Sequence, residues 1–213
     1  MIISVQNQKG GVGKTTLAIH LSHAIALLQN ARVLLVDADP QGSARDWAAA
    51  RQTEALFPVV AIDRPVLHRE IPKIATDYDH IIIDGPPRAS ELARSAISSA
   101  DLVIIPVQPS PYDVWAAQEI INLIKEAAVF KENLKAVFAI NRKIVNTAIG
   151  RDVAEALASF ELPVLAAQIC QRIAFAESAA TGQTVLETEP KGVAAKEIKA
   201  LAKEILKIGR AHV

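Results

Sequence analysis

The stretch from residue 9 to residue 16 reads Lys9-Gly10-Gly11-Val12-Gly13-Lys14-Thr15-Thr16. Its second half, Gly13-Lys14-Thr15, is typical of the end of a phosphate-binding loop, in which backbone N–H groups surround phosphates, the lysine contacts the outer phosphates and the Thr hydroxyl binds Mg²⁺. The usual loop carries another glycine five residues before the last one, but this chain has Gln8 at that position, followed by Lys9. The loop is therefore predicted to bind a nucleotide in a modified way.

Short apolar runs alternate with longer helical patterns along the rest of the chain. Continuous apolar strands without polar alternation are typical of a parallel sheet covered by helices on both faces. We expect one domain over residues 1–213, a doubly wound α/β fold with a mostly parallel sheet of about seven to eight strands. The strand candidates lie at 2–5, 33–36, 59–62, 81–83, 102–105 and 136–140, with a weaker one at 164–165, and the helix candidates at 14–29, 42–54, 66–77, 88–99, 112–130, 149–160, 173–180 and 192–208.

The composition sets broad limits on the class of protein. Hydrophobic residues make up 51% of the chain, which argues against global disorder, and the formal net charge of zero neither supports nor excludes nucleic-acid binding. A single cysteine, Cys170, cannot form an internal disulfide, and we expect it to be a small buried residue. No signal-peptide pattern and no apolar run of membrane-spanning length is visible, so we expect a cytoplasmic protein.

Three aspartates follow strand candidates, where ligands bind in open α/β sheets. Asp84 ends the apolar run 81–83, as the metal-binding carboxylate of a Walker B strand does. Asp37 and Asp39 follow the second strand, and two residues apart in an extended chain they point to opposite sides. One of them can support the Mg²⁺ shell while the other orients the attacking water. The alternative is a capped turn, shaped by the neighbouring proline and glycine.

Several of these motifs resemble those of the ParA/MinD family of ATPases. Residues 9–16 resemble that family's deviant Walker A motif, residues 36–43 its second motif and residues 82–87 its Walker B motif, and the stretches 106–110 and 139–142 also follow in family order. The form Asp-Ala-Asp-Pro-Gln-Gly is closer to ParA partition proteins than to MinD. Because no extra N-terminal DNA-binding domain is visible, the chain is most similar to a small partition ATPase of the ParF type.

The resemblance implies a homodimer that encloses ATP and hydrolyses it to ADP with Mg²⁺. The implied catalytic residues are Lys9, Lys14 and Asp39; whether Lys9 acts in its own subunit or on the partner's nucleotide stays open from the residues alone. The proline-rich stretch Pro106–Pro111 would belong to the dimer face. The implied metal residues are Thr15, Asp37 and Asp84, and the implied nucleotide-binding residues are Gly10, Gly11, Val12, Gly13, Lys14, Thr15, Thr16, Asn141 and Arg142.

The resemblance further implies plasmid or chromosome partition. The ATP-bound dimer would bind DNA without sequence preference, making it nucleoid-associated, and a centromere-binding adaptor of the ParB or ParG kind would stimulate hydrolysis. A lysine stripe on the last helix candidate could contact DNA, or it could simply be a solvated face tempered by Glu197 and Glu204. The candidate DNA-binding residues are Arg172, Lys191, Lys196, Lys199 and Lys203.

The alternative function is a MinD-like membrane-associated ATPase, or another cargo-positioning ATPase. A membrane-bound protein would need a C-terminal amphipathic helix with bulky interfacial residues. Residues 205–213 contain no Phe or Trp, so we expect no membrane partner. Trp47 and Trp115 both lie in helical patterns, and we expect both to be packed.

Overall fold

The computed structural model describes residues 1–145 and 149–210, and there it confirms a doubly wound α/β fold. Six parallel strands form one sheet in the order β3-β2-β4-β1-β5-β6. The strands are β1 (Ile2–Val5), β2 (Val33–Asp37), β3 (Val59–Ala61), β4 (His80–Asp84), β5 (Leu102–Val107) and β6 (Lys135–Ile140). The helices are α1 (Lys14–Gln29), α2 (Ser43–Ala49), α3 (Leu67–Ile74), α4 (Glu91–Ser99), α5 (Pro111–Ala128), α6 (Ile149–Ala158), α7 (Ile173–Ala180), α8 (Val185–Thr188) and α9 (Val193–Arg210).

Alternate residues of each central strand enter the helix layers on opposite faces of the sheet. In β2, Leu35 packs with α1 and α9, whereas Leu34 and Val36 pack with α3 and α4. In β5, Ile105 faces α5 and α6, while Ile104 lies in the layer of α1 and α9. All these side chains are buried, which explains the continuous apolar runs. The prediction of two-sided burial is wrong for β3, which lies at the edge of the sheet and is largely exposed.

The described residues form six strands rather than seven or eight, because the candidate at 164–165 pairs at one residue only. Val164 makes an isolated parallel bridge to Phe138 of β6, and Leu165 N donates to the Phe138 carbonyl. The next two amides, of Ala166 and Ala167, donate to the carboxylate of Glu204 on α9 instead of to a strand. The chain therefore breaks its pairing with β6 where Glu204 accepts these amides, and it pairs again at Ile169, whose amide donates to the Ile140 carbonyl.

Every predicted helix is present; those at 14–29 and 173–180 have the predicted bounds, and the others begin or end at different residues. The predicted helix at 42–54 ends at Ala49, and the one at 88–99 begins at Glu91, after the side chain of Ser90 caps its first turn. Sequence reasoning missed the four-residue helix α8, whose Thr184 and Glu187 form a capping box. No helix in the described ranges is both long and apolar enough to cross a membrane.

The two tryptophans have opposite environments. Trp47 is buried, stacks on Phe57 and donates its indole N–H to the carbonyl of Gln183, as expected for a packed residue. The prediction of packing is wrong for Trp115, which is 67% exposed on α5. Its main aromatic neighbour is the exposed Tyr112, with ring centroids 5.5 Å apart. An exposed aromatic pair therefore lies on the first turns of α5.

Candidate functional site

Many of the predicted site residues meet at the carboxyl ends of the strands, around one cavity of about 1280 Å³. The loop after β1, the turn after β2 and the residues after β6 all reach this cavity because parallel strands place their carboxyl ends along one edge. Residues of α7 and of the segment before it form the opposite wall. The lining includes Gly10, Gly11, Gly13, Lys14, Thr15, Thr16, Asp39, Asn141 and Arg142.

Gly13 forms the tight junction between the loop and α1. Its φ of 88° lies in the left-handed region, and a Cβ at this position would lie 2.5 Å from Asn141 Nδ2. The same Nδ2 donates to the carbonyl of Val12 at 2.7 Å. The requirement for glycine at position 13 therefore has two sources, the backbone angle and the approach of β6.

Two side chains fasten the Gly11 peptide. Arg142 Nη1 and Gln108 Nε2 both donate to the Gly11 carbonyl, at 2.6 Å and 3.0 Å. These two hydrogen bonds tie the carbonyl of Gly11 to the residues that follow β5 and β6. Arg142 was predicted to bind nucleotide; in this structure it holds the loop. Gln108 was not predicted as a site residue, although its position directly after β5 places it at the edge of the sheet where ligands bind.

Lys14 is buried, and within the described part of the chain its ammonium group makes only one long hydrogen bond. Its Nζ donates to the carbonyl of Lys9 at 3.4 Å, a long contact. Burial lowers the pKa of Lys14, and the nearby carboxylates of Asp84 and Asp39 oppose that shift. An ammonium group in this position is available for the phosphates that the loop is built to hold.

Asp84 is a buried carboxylate without a proper hydrogen-bond donor among the described residues. It is 0% exposed, and neither oxygen makes a hydrogen bond of normal geometry, although the Thr15 hydroxyl is near enough to affect it. Burial raises the pKa of Asp84 to about 7, while Thr15 and Lys14 oppose part of that rise. Two free carboxylate oxygens beside a Thr hydroxyl fit the ligand set of a hydrated Mg²⁺ ion.

Asp37 differs from Asp84, because its oxygens are already occupied. Oδ1 accepts from the amide of Asp39, and Oδ2 accepts from the amide of Arg45 at the start of α2. The guanidinium of Arg45 lies 3.5 Å from Oδ2. Burial raises the pKa of Asp37, and these donors oppose part of that rise. Asp37 thus shapes the turn, so the direct metal contact fits Asp84 better.

Asp39 remains half-buried at the edge of the cavity. Its Oδ1 accepts from the amide of Gln41 at 2.9 Å, which fixes the carboxylate in a turn after β2. The prediction of a shaped turn and the prediction of a cavity-facing carboxylate are therefore compatible. A fixed carboxylate at this edge can accept a hydrogen bond from a water molecule that approaches the phosphates.

The side chain of Lys9 points away from the cavity, toward α5. Its Nζ donates to Asp113 Oδ2 at 2.6 Å. Asp113 lies in the first turn of α5 and was not predicted as a site residue. Since Asp113 is 104 residues from Lys9 in sequence, no local pattern signalled the contact.

The DNA-binding candidates lie on and beside α9, and they differ in exposure and in their hydrogen-bond partners. Lys191, Lys196 and Lys203 are exposed, whereas Lys199 donates to the carbonyl of Pro190. Arg172 forms an ion pair with Glu197 at 2.5 Å. Glu197 and Glu204 accept from the chain segment 166–172, and within the described residues neither forms an ion pair with the candidate lysines of α9.

The fold and the loop geometry agree with a comparison to known families. The family described as the CobQ/CobB/MinD/ParA nucleotide binding domain matches residues 3–185. The chain belongs to this family. It is therefore a ParA/MinD-like ATPase, as the motifs predicted, while the ParF-type subtype gains no specific support.

Two curated relatives and one solved structure illustrate the range of this family. The maintenance of carboxysome distribution protein A of Halothiobacillus neapolitanus is 30% identical over 208 residues, covering 96% of this chain and 95% of that protein. The sporulation initiation inhibitor protein Soj of Bacillus subtilis is 28% identical over 250 residues, covering 96% and 97%. Cobyrinic acid a,c-diamide synthase of Mycobacterium smegmatis, solved with an ATP analog and magnesium, has a TM-score of 0.79 at 24% identity and covers 100% and 96%. This last likeness shows the fold.

Proposed function

We propose that this protein is a Mg²⁺-dependent ATPase that dimerises around ATP and positions a cargo inside the cytoplasm. The observation that carries the proposal is the group formed by the buried ammonium of Lys14 and the unpartnered carboxylate of Asp84, with Thr15 beside them. Burying an ammonium and a carboxylate without full hydrogen bonding is costly, although the two groups partly compensate each other, and a Mg²⁺–ATP complex would supply the missing partners of both. Solved relatives of the same fold hold Mg-ADP or an ATP analog with magnesium.

In this proposal, the chain's own residues divide the work of hydrolysis. Lys14 neutralises the outer phosphates, Thr15 and Asp84 hold the hydrated Mg²⁺ ion, and Asp39 orients the attacking water. Asp37 keeps the turn that aims Asp39. Gly10 to Thr16 hold the phosphates, and Asn141 and Arg142 border the nucleotide. Mg²⁺ supplies charge stabilisation at the transferred phosphate. Lys9 would add a further positive charge from the second subunit.

Among possible cargoes, we propose a large cytoplasmic assembly that carries an adaptor protein. Two similar relatives are named for the maintenance of carboxysome distribution, one of them covered almost end to end. The adaptor would stimulate ATP hydrolysis at the surface of the cargo. Partition of a replicon through a ParB-like or ParG-like adaptor is the second candidate, favoured by the Soj and ParA relatives.

Both candidates need a surface on which the ATP-bound dimer is retained, and we propose that this surface is non-specific DNA. Lys191, Lys196 and Lys203 are exposed on one side of the molecule and can contact phosphates without reading bases. Binding to the nucleoid would follow. A bilayer is the competing surface, as in the MinD-like alternative.

The deciding experiment is DNA binding with and without ATP at two salt concentrations, beside co-sedimentation with anionic liposomes. We expect an ATP-dependent, sequence-blind signal that weakens steeply with salt. Replacing both Lys196 and Lys203 by Ala should weaken it. Replacing both Arg69 and Lys73 by Ala, two exposed cations on α3 in the opposite helix layer, is the matched control because it removes the same charge. ATP-dependent pelleting with liposomes and no DNA signal would overturn the proposed surface.

A further inference from the structure

The contact between Lys9 and Asp113 fastens the start of the phosphate-binding loop to α5. Asp113 is 1% exposed, whereas the Lys9 side chain is 39% exposed, so the lysine reaches inward to a buried carboxylate. A second contact lies beside it, since Gln8 Nε2 donates to the carbonyl of Ala116 at 2.8 Å. The carbonyl of Lys9 accepts a long hydrogen bond from Lys14, which lines the cavity, while the Lys9 side chain extends to α5.

Asp113 depends on Lys9 for its charge compensation. Its Oδ1 is buried and has no hydrogen-bond partner in the part of the chain that the structure describes. Its Oδ2 accepts from Lys9 Nζ. If the lysine leaves, a buried carboxylate loses its ion-pair partner, and the N-terminal end of α5 stabilises its charge less than an ion pair does. Movement of Lys9 is therefore coupled to the surroundings of Asp113.

We infer that Asp113 is a positioning residue that holds Lys9 within its own subunit until a second ATP-bound copy displaces it. The inference rests on the proposed ATP-dependent dimer. A lysine that acts on the partner's nucleotide must leave α5, so breaking the contact with Asp113 opposes dimerisation. The contact then sets the protein concentration at which ATP-bound subunits pair.

The test compares ATP-dependent dimerisation of the wild-type protein, Asp113→Asn and Glu132→Gln by sedimentation velocity with a non-hydrolysable ATP analogue. Glu132 is exposed beyond the far end of α5, so its substitution removes one negative charge without touching the contact. We expect Asp113→Asn to dimerise at a concentration about tenfold lower than the wild type. This change lies between those expected from the loss of an exposed ion pair and of a buried one. The control should dimerise at the same concentration as the wild type.

The outcomes separate this inference from the proposed function. A wild-type protein that stays monomeric with the analogue would contradict the proposed function. A wild-type protein that dimerises, together with an Asp113→Asn variant that needs the same or a higher concentration, would overturn the inference alone.

A second measurement uses the wild-type chain, in case the variant does not fold. In the nucleotide-free protein, acetic anhydride should label Lys9 more slowly than the exposed Lys203, as followed by mass spectrometry. Raising the salt to about 1 M should raise the rate at Lys9 relative to the rate at Lys203, although less than for a fully exposed pair, because salt screens an ion pair with a buried partner only in part. Equal rates at low salt would show that Asp113 does not hold Lys9 in solution, and the inference would fail.

Discussion

Asp84 couples the stability of the nucleotide-free protein to pH at the scale of a single residue. Its folded pKa of about 7 lies above the unfolded value of 3.8, so the folded chain binds the proton more tightly. Stability from this group is therefore greatest at low pH and declines as the pH rises from about 4 to about 7. The cost of the charged form at neutral pH is as much as about 4 kcal/mol. The buried His20, whose pKa is lowered to about 4, has the opposite slope.

Replacing Asp84 by Asn isolates this effect. We expect the nucleotide-free variant to unfold at a higher temperature than the wild type at pH 7, with the difference shrinking toward pH 4. Hydrolysis of ATP should fall by on the order of 10²-fold or more, since the metal loses its carboxylate. Thermal unfolding across pH and a phosphate-release assay measure the two effects. A variant less stable than the wild type at pH 7 would show that Asp84 is compensated in the free protein.

The loop glycines are not equivalent, and a matched pair of substitutions distinguishes them. Gly13→Ala should destabilise the free protein by about 1–3 kcal/mol, because of its positive φ and the clash with Asn141. Gly10→Ala should leave the free protein unchanged, since a Cβ at Gly10 meets no atom within 4 Å. Chemical denaturation of both variants without nucleotide is the measurement. Similar losses in the two would contradict this explanation.

At the scale of elements, a buried ionic network joins α1, the end of α2 and α8. Arg51 pairs with Glu187 and also donates to the carbonyl of Gly182, while His23 contacts Thr184 and lies 3.4 Å from Glu187. Burial of Glu187 opposes its charged form, but donors from Arg51 and the Thr184 amide outweigh this and lower its pKa. The network supports the helix that follows the phosphate-binding loop.

Breaking this network should cost more than breaking a surface pair. We expect Arg51→Met to lower the free energy of unfolding by about 3 kcal/mol, because Glu187 is left part-buried without its main donor. Lys73→Met, which removes the exposed pair with Glu70, is the control and should cost under about 1 kcal/mol. Urea denaturation measures both. Equal effects would mean that Glu187 finds other donors.

Helices and strands were predictable from the sequence, whereas the contacts between distant elements were not. The phosphate-binding loop at 9–16 and the apolar strands could be predicted, because each is determined by residues that are adjacent in sequence. Contacts that join distant segments could not be predicted, because they produce no periodic pattern in the sequence. Examples are the contacts of Lys9 with Asp113, Gln108 with Gly11 and Arg51 with Glu187. The predicted strand at 164–165 does not extend for the same reason, since the next two amides, of Ala166 and Ala167, donate to Glu204 on a distant helix.

At the scale of the whole molecule, the role of Lys9 separates a monomeric enzyme from a dimeric one. Lys9→Ala should retain most ATP binding, because the loop and Lys14 remain, but lose adaptor-stimulated hydrolysis by on the order of 10²–10³-fold. Nucleotide affinity and phosphate release measure the two properties. Normal stimulated hydrolysis would show that Lys9 has no catalytic role.

Mixing two inactive variants decides in which subunit Lys9 acts. If Lys9 acts on the partner's nucleotide, a mixed dimer of Lys9→Ala and Asp39→Ala contains one complete site, formed by Asp39 of the first subunit and Lys9 of the second. Activity should then reappear on mixing. If Lys9 acts in its own subunit, each subunit still lacks one residue and the mixture stays inactive.

Trp115 provides an optical test of the face that the two subunits share. It lies on α5, less than one turn from Asp113, and is 67% exposed, whereas the other tryptophan, Trp47, is 6% exposed. If Lys9 reaches the partner, the neighbouring turns of α5 approach the partner too. We expect the ATP-bound dimer to reduce acrylamide quenching of tryptophan fluorescence by about twofold, because an interface excludes the quencher from its core. Trp115→Phe should abolish the change and Trp47→Phe should preserve it. Dimerisation without any change in quenching would place α5 outside the interface and require Lys9 to reach its target by another route.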